Sequence, residues 1–133
     1  PFLPALRTRQ TAQPLANRLG GLVTVDAALI EVDLGDLQDL PKADLPRNLR
    51  KAHQRLPVPG GESLFGVWTR FCVFADRIAP GTAQRGDLAL VRHYGSNRML
   101  WGVLSGPSFE GTLQHRSYAP ETGSVASIPM PTG

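Results

Sequence analysis

At 133 residues, with 41% hydrophobic and 19% charged residues, the chain has the length and make-up of one globular domain with one core, and no apolar run nears the roughly 18 residues of a membrane span. Its net charge of +3 and pI near 9.6 suit a solvated surface or an anionic small molecule as well as nucleic acid, but the basic residues Arg7, Arg9, Arg18, Arg47, Arg50, Lys51 and Arg55 are scattered with little aromatic interleaving, so nucleic acid is not expected. The single cysteine, Cys72, excludes an internal disulfide and a cysteine-rich zinc site, and with no secretory signal read at the start a cytoplasmic setting is expected.

Arg7 to Leu19 is expected to be helical. Ala12, Leu15, Ala16 and Leu19 share a face, Gly20-Gly21 supplies a stop, and Pro14 is tolerable in a first turn or at a kink. The β-branched run Leu22 to Val25 is predicted as a strand. Ala27 to Gly35 contains Leu29-Ile30-Glu31-Val32-Asp33, a short extended segment passing into a loop. The polar stretch from Leu37 to Pro59 carries Pro41, Pro46, Pro57 and Pro59, with a short helix predicted around Leu45 to Arg55. After Pro59-Gly60-Gly61 a long amphipathic helix is predicted from Glu62 to Ala79. Its apolar positions Leu64, Phe65, Trp68, Phe71, Cys72, Ala75 and Ile78 follow 3, 4 and 7 spacing. Glu62 and Ser63 suit its first turn, and Pro80-Gly81 ends it. Leu88 to Val91 reads as a strand buried on both faces. Ser96 to Leu104 reads as a helix with Met99, Leu100, Val103 and Leu104 inward, stopped by Gly106-Pro107. Ser124 to Ile128 is predicted as the last strand and Pro129 to Gly133 as a tail. The alternation argues one α/β domain over 1–133 with a largely parallel sheet and right-handed crossovers. Three or four strands are few for such a sheet.

Three residues stand out chemically. His93 ends an apolar run just before a predicted helix, a corner where an open sheet binds ligands and a helix N-terminus attracts anions; the plain alternative is a structural histidine. Arg7, at or just before a helix N-terminus, is poorly placed by the dipole rule unless an anion lies between; the alternative is a solvated arginine. Glu31, among Leu29, Ile30 and Val32, is either exposed on an edge or a partly buried general acid. Pro59 to Ser63 lacks the spacing and lysine of a P-loop. Asp76, His93 and Ser96 come without a G-x-S-x-G elbow. His53, His93 and His115 lack metal-ligand spacing.

In order, these pieces resemble the histidine phosphatase superfamily, in its phosphoglycerate mutase-like branch. Arg7-Thr8-Arg9-Gln10-Thr11-Ala12 resembles its R-[AT]-x-Q-T-A helix start, and Leu29 to Gly35 its L-x-E-x-x-x-G segment. Pro59-Gly60-Gly61-Glu62-Ser63 resembles its P-G-G-E-S element, Leu90 to Arg98 its V-x-H-G-x-x-x-R element, and Gly123-Ser124-Val125 its closing strand. The resemblance implies a three-layer α/β/α sandwich with a mainly parallel sheet, its N-terminal strand and helix missing here. It implies a nucleophilic histidine, in an R-H-G motif, that takes the phosphoryl group. Arg7 would grip phosphate, Glu31 would protonate the leaving oxygen, and His93 would hydrogen-bond the transferring phosphoryl. The N–H of Tyr94, where the family often has glycine, would join the phosphate contacts. No metal and no cofactor are implied. Phosphoryl transfer is mostly positioning and charge cancellation, which an arginine fork, a covalent imidazole and an acid on the leaving group all serve.

No R-H-G occurs in the 133 residues, and the chain begins Pro1-Phe2 without methionine. One expectation is therefore a piece of a phosphomonoester hydrolase whose nucleophile lies outside this chain, which alone would form no phosphohistidine. A second is a non-catalytic descendant that binds a phosphorylated ligand or a protein. A third is a different acid/base reaction using Glu31 and His93. Hydrolysis is favoured over mutase-like transfer because Gly35 to Pro59 is short for a pocket that retains an intermediate. The expected partner is a small phosphorylated substrate or inorganic phosphate, with no membrane; a homodimer stays open.

Overall fold

A computed structural model describes residues 3–86, 88–92, 94–114, 125, 127 and 128. Along them run α1 (Leu3–Leu19), three 3-10 turns (Ala27–Leu29, Gly35–Leu37 and Lys42–Asp44), α2 (Leu49–Ala52), α3 (Leu64–Arg85), α4 (Tyr94–Ser105) and α5 (Phe109–Gln114). No β-strand occurs among the described residues, so the expected α/β/α sandwich with its parallel sheet is overturned. β-Branched composition favours extended backbone, but a strand is made by ladder hydrogen bonds and by neighbours that cover its side chains. Leu22 to Val25 forms no strand, with Leu22 96% exposed, and Leu88, expected buried on both faces, is 54% exposed. In the third run, Val125 is 94% exposed, while Ser124 and Ala126 lie outside the described residues. So does the tail.

The core is helical instead. Val67, Phe71 and Phe74 of α3, Met99 and Leu100 of α4 and Phe109 of α5 are buried together, with Ala28, Leu29, Val32 and Leu90 packed on them from the connecting segments. The inward positions expected in α4 agree with this, since Val103 and Leu104 also pack on the cluster. In α3 the deepest stripe differs from the expected one. Val67, Phe71 and Phe74, at 4 and 3 spacing, are buried, whereas Phe65 is exposed enough to edge against Phe109 with ring centroids 5.2 Å apart. With no sheet among the described residues to cover a broad face, the stripe that meets α4 and α5 is the one sealed.

Local chemistry sets the helix limits. Ser63 caps α3, its Oγ accepting from the Gly66 N–H at 3.0 Å. The Leu64 and Phe65 N–H groups donate to the carbonyls of His53 and Gln54 at 2.9 and 2.8 Å. Three donors of the first turn are thus used by the protein itself. At its far end α3 continues through Pro80 and Gly81 to Arg85; the bias of a residue before proline away from helix is statistical. The predicted helix around Leu45 to Arg55 shrinks to α2, and Pro46 disfavours helical backbone before it. α1 starts earlier than expected, at Leu3, keeps Pro14 in its interior, and from Leu6 onward supplies no residue to the core cluster.

α5 was not foreseen. Its N-cap is Ser108, whose Oγ accepts from the Gly111 N–H at 3.0 Å, and Glu110 sits favourably in its first turn. Its last carbonyls, on Thr112 and Leu113, accept from the Arg98 guanidinium of α4. α4 and α5 meet at Gly102, where a Cβ would lie 2.1 Å from Oγ1 of the fully buried Thr112. No helix among the described residues is long and apolar enough to cross a membrane. Gly102→Ala is expected to cost about 1–3 kcal/mol of stability through this overlap. Gly21→Ala, with nothing within 4 Å of the added atom, should stay within about 0.5 kcal/mol. Urea unfolding of the two variants checks the contrast, and equal stabilities would refute the close crossing.

Candidate functional site

Two separated segments dock through their backbones. Asp36 N–H donates to the Pro59 carbonyl at 2.9 Å, Glu62 N–H to the Asp33 carbonyl at 2.8 Å, and Asp33 N–H to Glu62 Oε1 at 3.1 Å. Glycine makes the approach possible. A Cβ on Gly61 would sit 2.4 Å from the Asp33 carbonyl oxygen, and one on Gly35, which is also left-handed at φ 50°, 2.3 Å from that of Pro59. The Pro59 to Ser63 element is therefore a socket for residues 33–36 as well as a helix start.

The stretch just before, 26–30, is held by arginines. Arg70 of α3 forks onto Glu62, with Nε to Oε2 at 3.1 Å and Nη2 to Oε1 at 2.9 Å. Its Nη1 donates to the carbonyls of Ala28 and Ile30, both at 2.8 Å. Arg92 donates to the Leu29 carbonyl from Nε at 3.2 Å and Nη2 at 3.0 Å, and its guanidinium lies 4.3 Å from the Phe71 ring centroid. Arg77, two turns beyond Arg70 on the same face, pairs with Asp26. Asp26 in turn caps the turn Ala27–Leu29, accepting from the Ala28 N–H at 2.9 Å.

Between these holds sits Glu31, half-buried, with Oε1 accepting from the Val32 N–H at 2.9 Å. Glu31 and Arg92 attract each other electrostatically, while Arg70 repels Arg92. Burial is the larger influence and lowers the Arg92 pKa to about 10, so Arg92 remains a cation at neutral pH. The arrangement sets the Glu31 carboxyl within the electrostatic reach of a desolvated positive charge.

Of the residues expected from the sequence, Glu31 lies in this cluster. Arg7 is exposed at the fifth position of α1 rather than at a helix N-terminus, and among the described residues it forms no ion pair with Glu31. His93 lies outside the described residues. Tyr94 is the first residue of α4, in the turn whose backbone N–H groups lack helical partners in general; the helix begins two residues earlier than expected. Arg70, Arg92 and Glu62 were missed as site residues. Arg92 adjoins His93 in sequence, and Glu62, just before α3, lies eight residues from Arg70 within it, which was the available signal. Among the basic residues thought free to meet an anion, Arg55 is paired with Glu110 and lies over the Phe65 ring at 4.5 Å. Arg47 and Lys51 line a shallow hollow of about 690 Å³.

Compared with models of protein families, the chain matches the one described as histidine phosphatase superfamily (branch 1) over residues 4–128. Compared with curated proteins and with solved structures, it gives no match.

Asp26 anchors the approach to Glu31 and supplies a pH test. Hydrogen bonding from Arg77 holds its carboxyl below the usual range, against an opposing push from burial. A carboxyl lowered in the folded state stabilises above its unfolded value of about 3.9, and that contribution fades as pH falls through the folded value. Asp26→Asn keeps an N-cap acceptor and loses the ion pair with Arg77, so it is expected to cost about 0.2–1 kcal/mol at pH 7. The gap from wild type should close as the pH drops well below about 4; urea midpoints across pH check it, and a constant gap would refute the pairing.

Proposed function

We propose, because the chain belongs to the histidine phosphatase superfamily (branch 1), that it works in the hydrolysis of a small phosphoric monoester, supplying the leaving-group acid and part of the phosphate contacts. Membership itself carries phosphatase- or phosphotransferase-type chemistry; hydrolysis and the residue roles are inferred. The observation that carries the reading is the seat of Glu31, a half-buried carboxyl whose flanking backbone is tied on both sides and which lies within the field of Arg92.

In this scheme an imidazole attacks phosphorus while the ester P–O bond breaks, and Glu31 gives its proton to the departing oxygen. Water then attacks the phosphohistidine, Glu31 takes the water's proton, and phosphate leaves with the imidazole restored. Arg7 and His93, with the N–H of Tyr94, are assigned to the equatorial oxygens, where charge must be cancelled. The nucleophile is assigned outside these 133 residues. No R-H-G occurs in them, and the His53 ring is engaged with the Leu56 carbonyl at 2.9 Å. The same absence favours, as a second reading, a non-catalytic phospho-ligand binder.

Glu31→Gln in the native protein is expected to slow hydrolysis of an alkyl phosphate by about 10²–10⁴-fold. It should slow p-nitrophenyl phosphate far less, since that leaving group needs no proton. His93→Ala should slow both by about 10²–10³-fold. The 133 residues alone are expected to bind orthovanadate yet form no acid-labile, base-stable phosphohistidine. Equal losses on the two substrates, or such labelling of the 133 residues alone, would overturn the assignments. No turnover, with vanadate binding weakened by His93→Ala, would select the second reading.

A further inference from the structure

Three consecutive carbonyls, of Ala28, Leu29 and Ile30, immediately precede Glu31, and each accepts from a guanidinium: Arg70 holds the first and third, Arg92 the second. On the other side, Asp33 is held through both its N–H and its carbonyl by Glu62, the same residue that Arg70 grips with two hydrogen bonds. Among the described residues the Glu31 side chain makes no hydrogen bond in this network beyond the one it accepts from the N–H of its own neighbour, Val32. Such spending of charged groups on loop carbonyls is more than packing requires, because Leu29 and Val32 already tie the segment to the core. A guanidinium presents five donors in a rigid plane; an ammonium offers three on a flexible stem and cannot hold two carboxylate oxygens and two carbonyls in one geometry.

We propose that Arg70, with Arg92, is a positioning residue for Glu31: the two guanidiniums fix the backbone from which the acid projects and thereby set where its proton is delivered. The catalytic half of this inference rests on the role proposed above for Glu31; the structural half does not. General-acid efficiency depends on placing the proton within hydrogen-bond reach of the leaving oxygen. Loss of the fork should therefore appear as a loss of proton delivery rather than of phosphate binding.

The test compares Arg70→Lys, and the milder Glu62→Gln, with wild type. In the 133-residue chain, amide exchange at Val32 and Asp33 is expected to quicken about tenfold in Arg70→Lys relative to amides of the α3 core, with the melting temperature nearly kept. Glu62→Gln, which keeps an acceptor for the Asp33 N–H, should give a smaller change in the same direction. In the native protein, Arg70→Lys should lower kcat on an alkyl phosphate about tenfold, leave KM nearly unchanged, and lower p-nitrophenyl phosphate turnover less than twofold. Unchanged local exchange, full rescue by lysine, or equal losses on both substrates would overturn the proposal. If the native protein turns over neither substrate, the phosphatase reading fails, and the exchange comparison still decides whether Arg70 orders the Glu31 segment.

Discussion

One guanidinium, that of Arg70, satisfies four acceptors: both oxygens of Glu62 and the carbonyls of Ala28 and Ile30. The side chains of Arg70 and Glu62 are 23% and 26% exposed, so the pair is shielded from much of the screening that makes surface ion pairs nearly worthless. A partly buried pair of this kind adds less to net stability than its Coulomb attraction suggests, because both ions have lost water. What it does add is geometry. Arg70 is fixed by α3, α3 is fixed by Val67, Phe71 and Phe74 in the core, and the segment carrying Glu31 is fixed by Arg70. Core and site are therefore one mechanical unit, with the fully buried Phe71 ring serving both, its centroid 5.4 Å from the Arg70 guanidinium and 4.3 Å from that of Arg92.

The P-G-G-E-S element shows how each letter of a short motif meets a separate physical demand. Gly60 adopts φ 73°, which a side chain would resist. Gly61 leaves room for the Asp33 carbonyl, Glu62 joins that residue to Arg70, and Ser63 caps α3. Since Leu64, Phe65 and Gly66 give their N–H groups to protein acceptors, this helix start does not serve as a phosphate cradle, in keeping with its lack of a P-loop's spacing and lysine.

The sequence made α3 and α4 legible because their apolar spacing records a buried stripe, and it made Glu31 legible because an acid among Leu29, Ile30 and Val32 is conspicuous. It did not reveal that the apolar runs at 22–25 and 88–91 lack a ladder. Strand pairing is a relation between distant segments, and β-branched residues report only the willingness of one segment to extend. α5 is six residues long and leans on Arg98 from α4 for its last carbonyls; no periodicity of its own could announce it. Arg70 escaped notice for a similar reason. On a helical wheel it is merely the charged neighbour of Phe71, and the two carbonyls it holds, of Ala28 and Ile30, lie 42 and 40 residues away along the chain.

The balance of charge gives the cluster its direction. Arg70 is neutralised by Glu62 and Arg77 by Asp26, through direct ion pairs. Arg92 lies deeper: burial lowers its pKa to about 10, while Glu31 favours its charge by attraction and Arg70 opposes it. A charge kept in such a place is poorly explained by stability alone. Three guanidiniums thus hold the segment around Glu31 to α3 and the core, and the attraction between Glu31 and Arg92 ties the acid itself to the same set of charges.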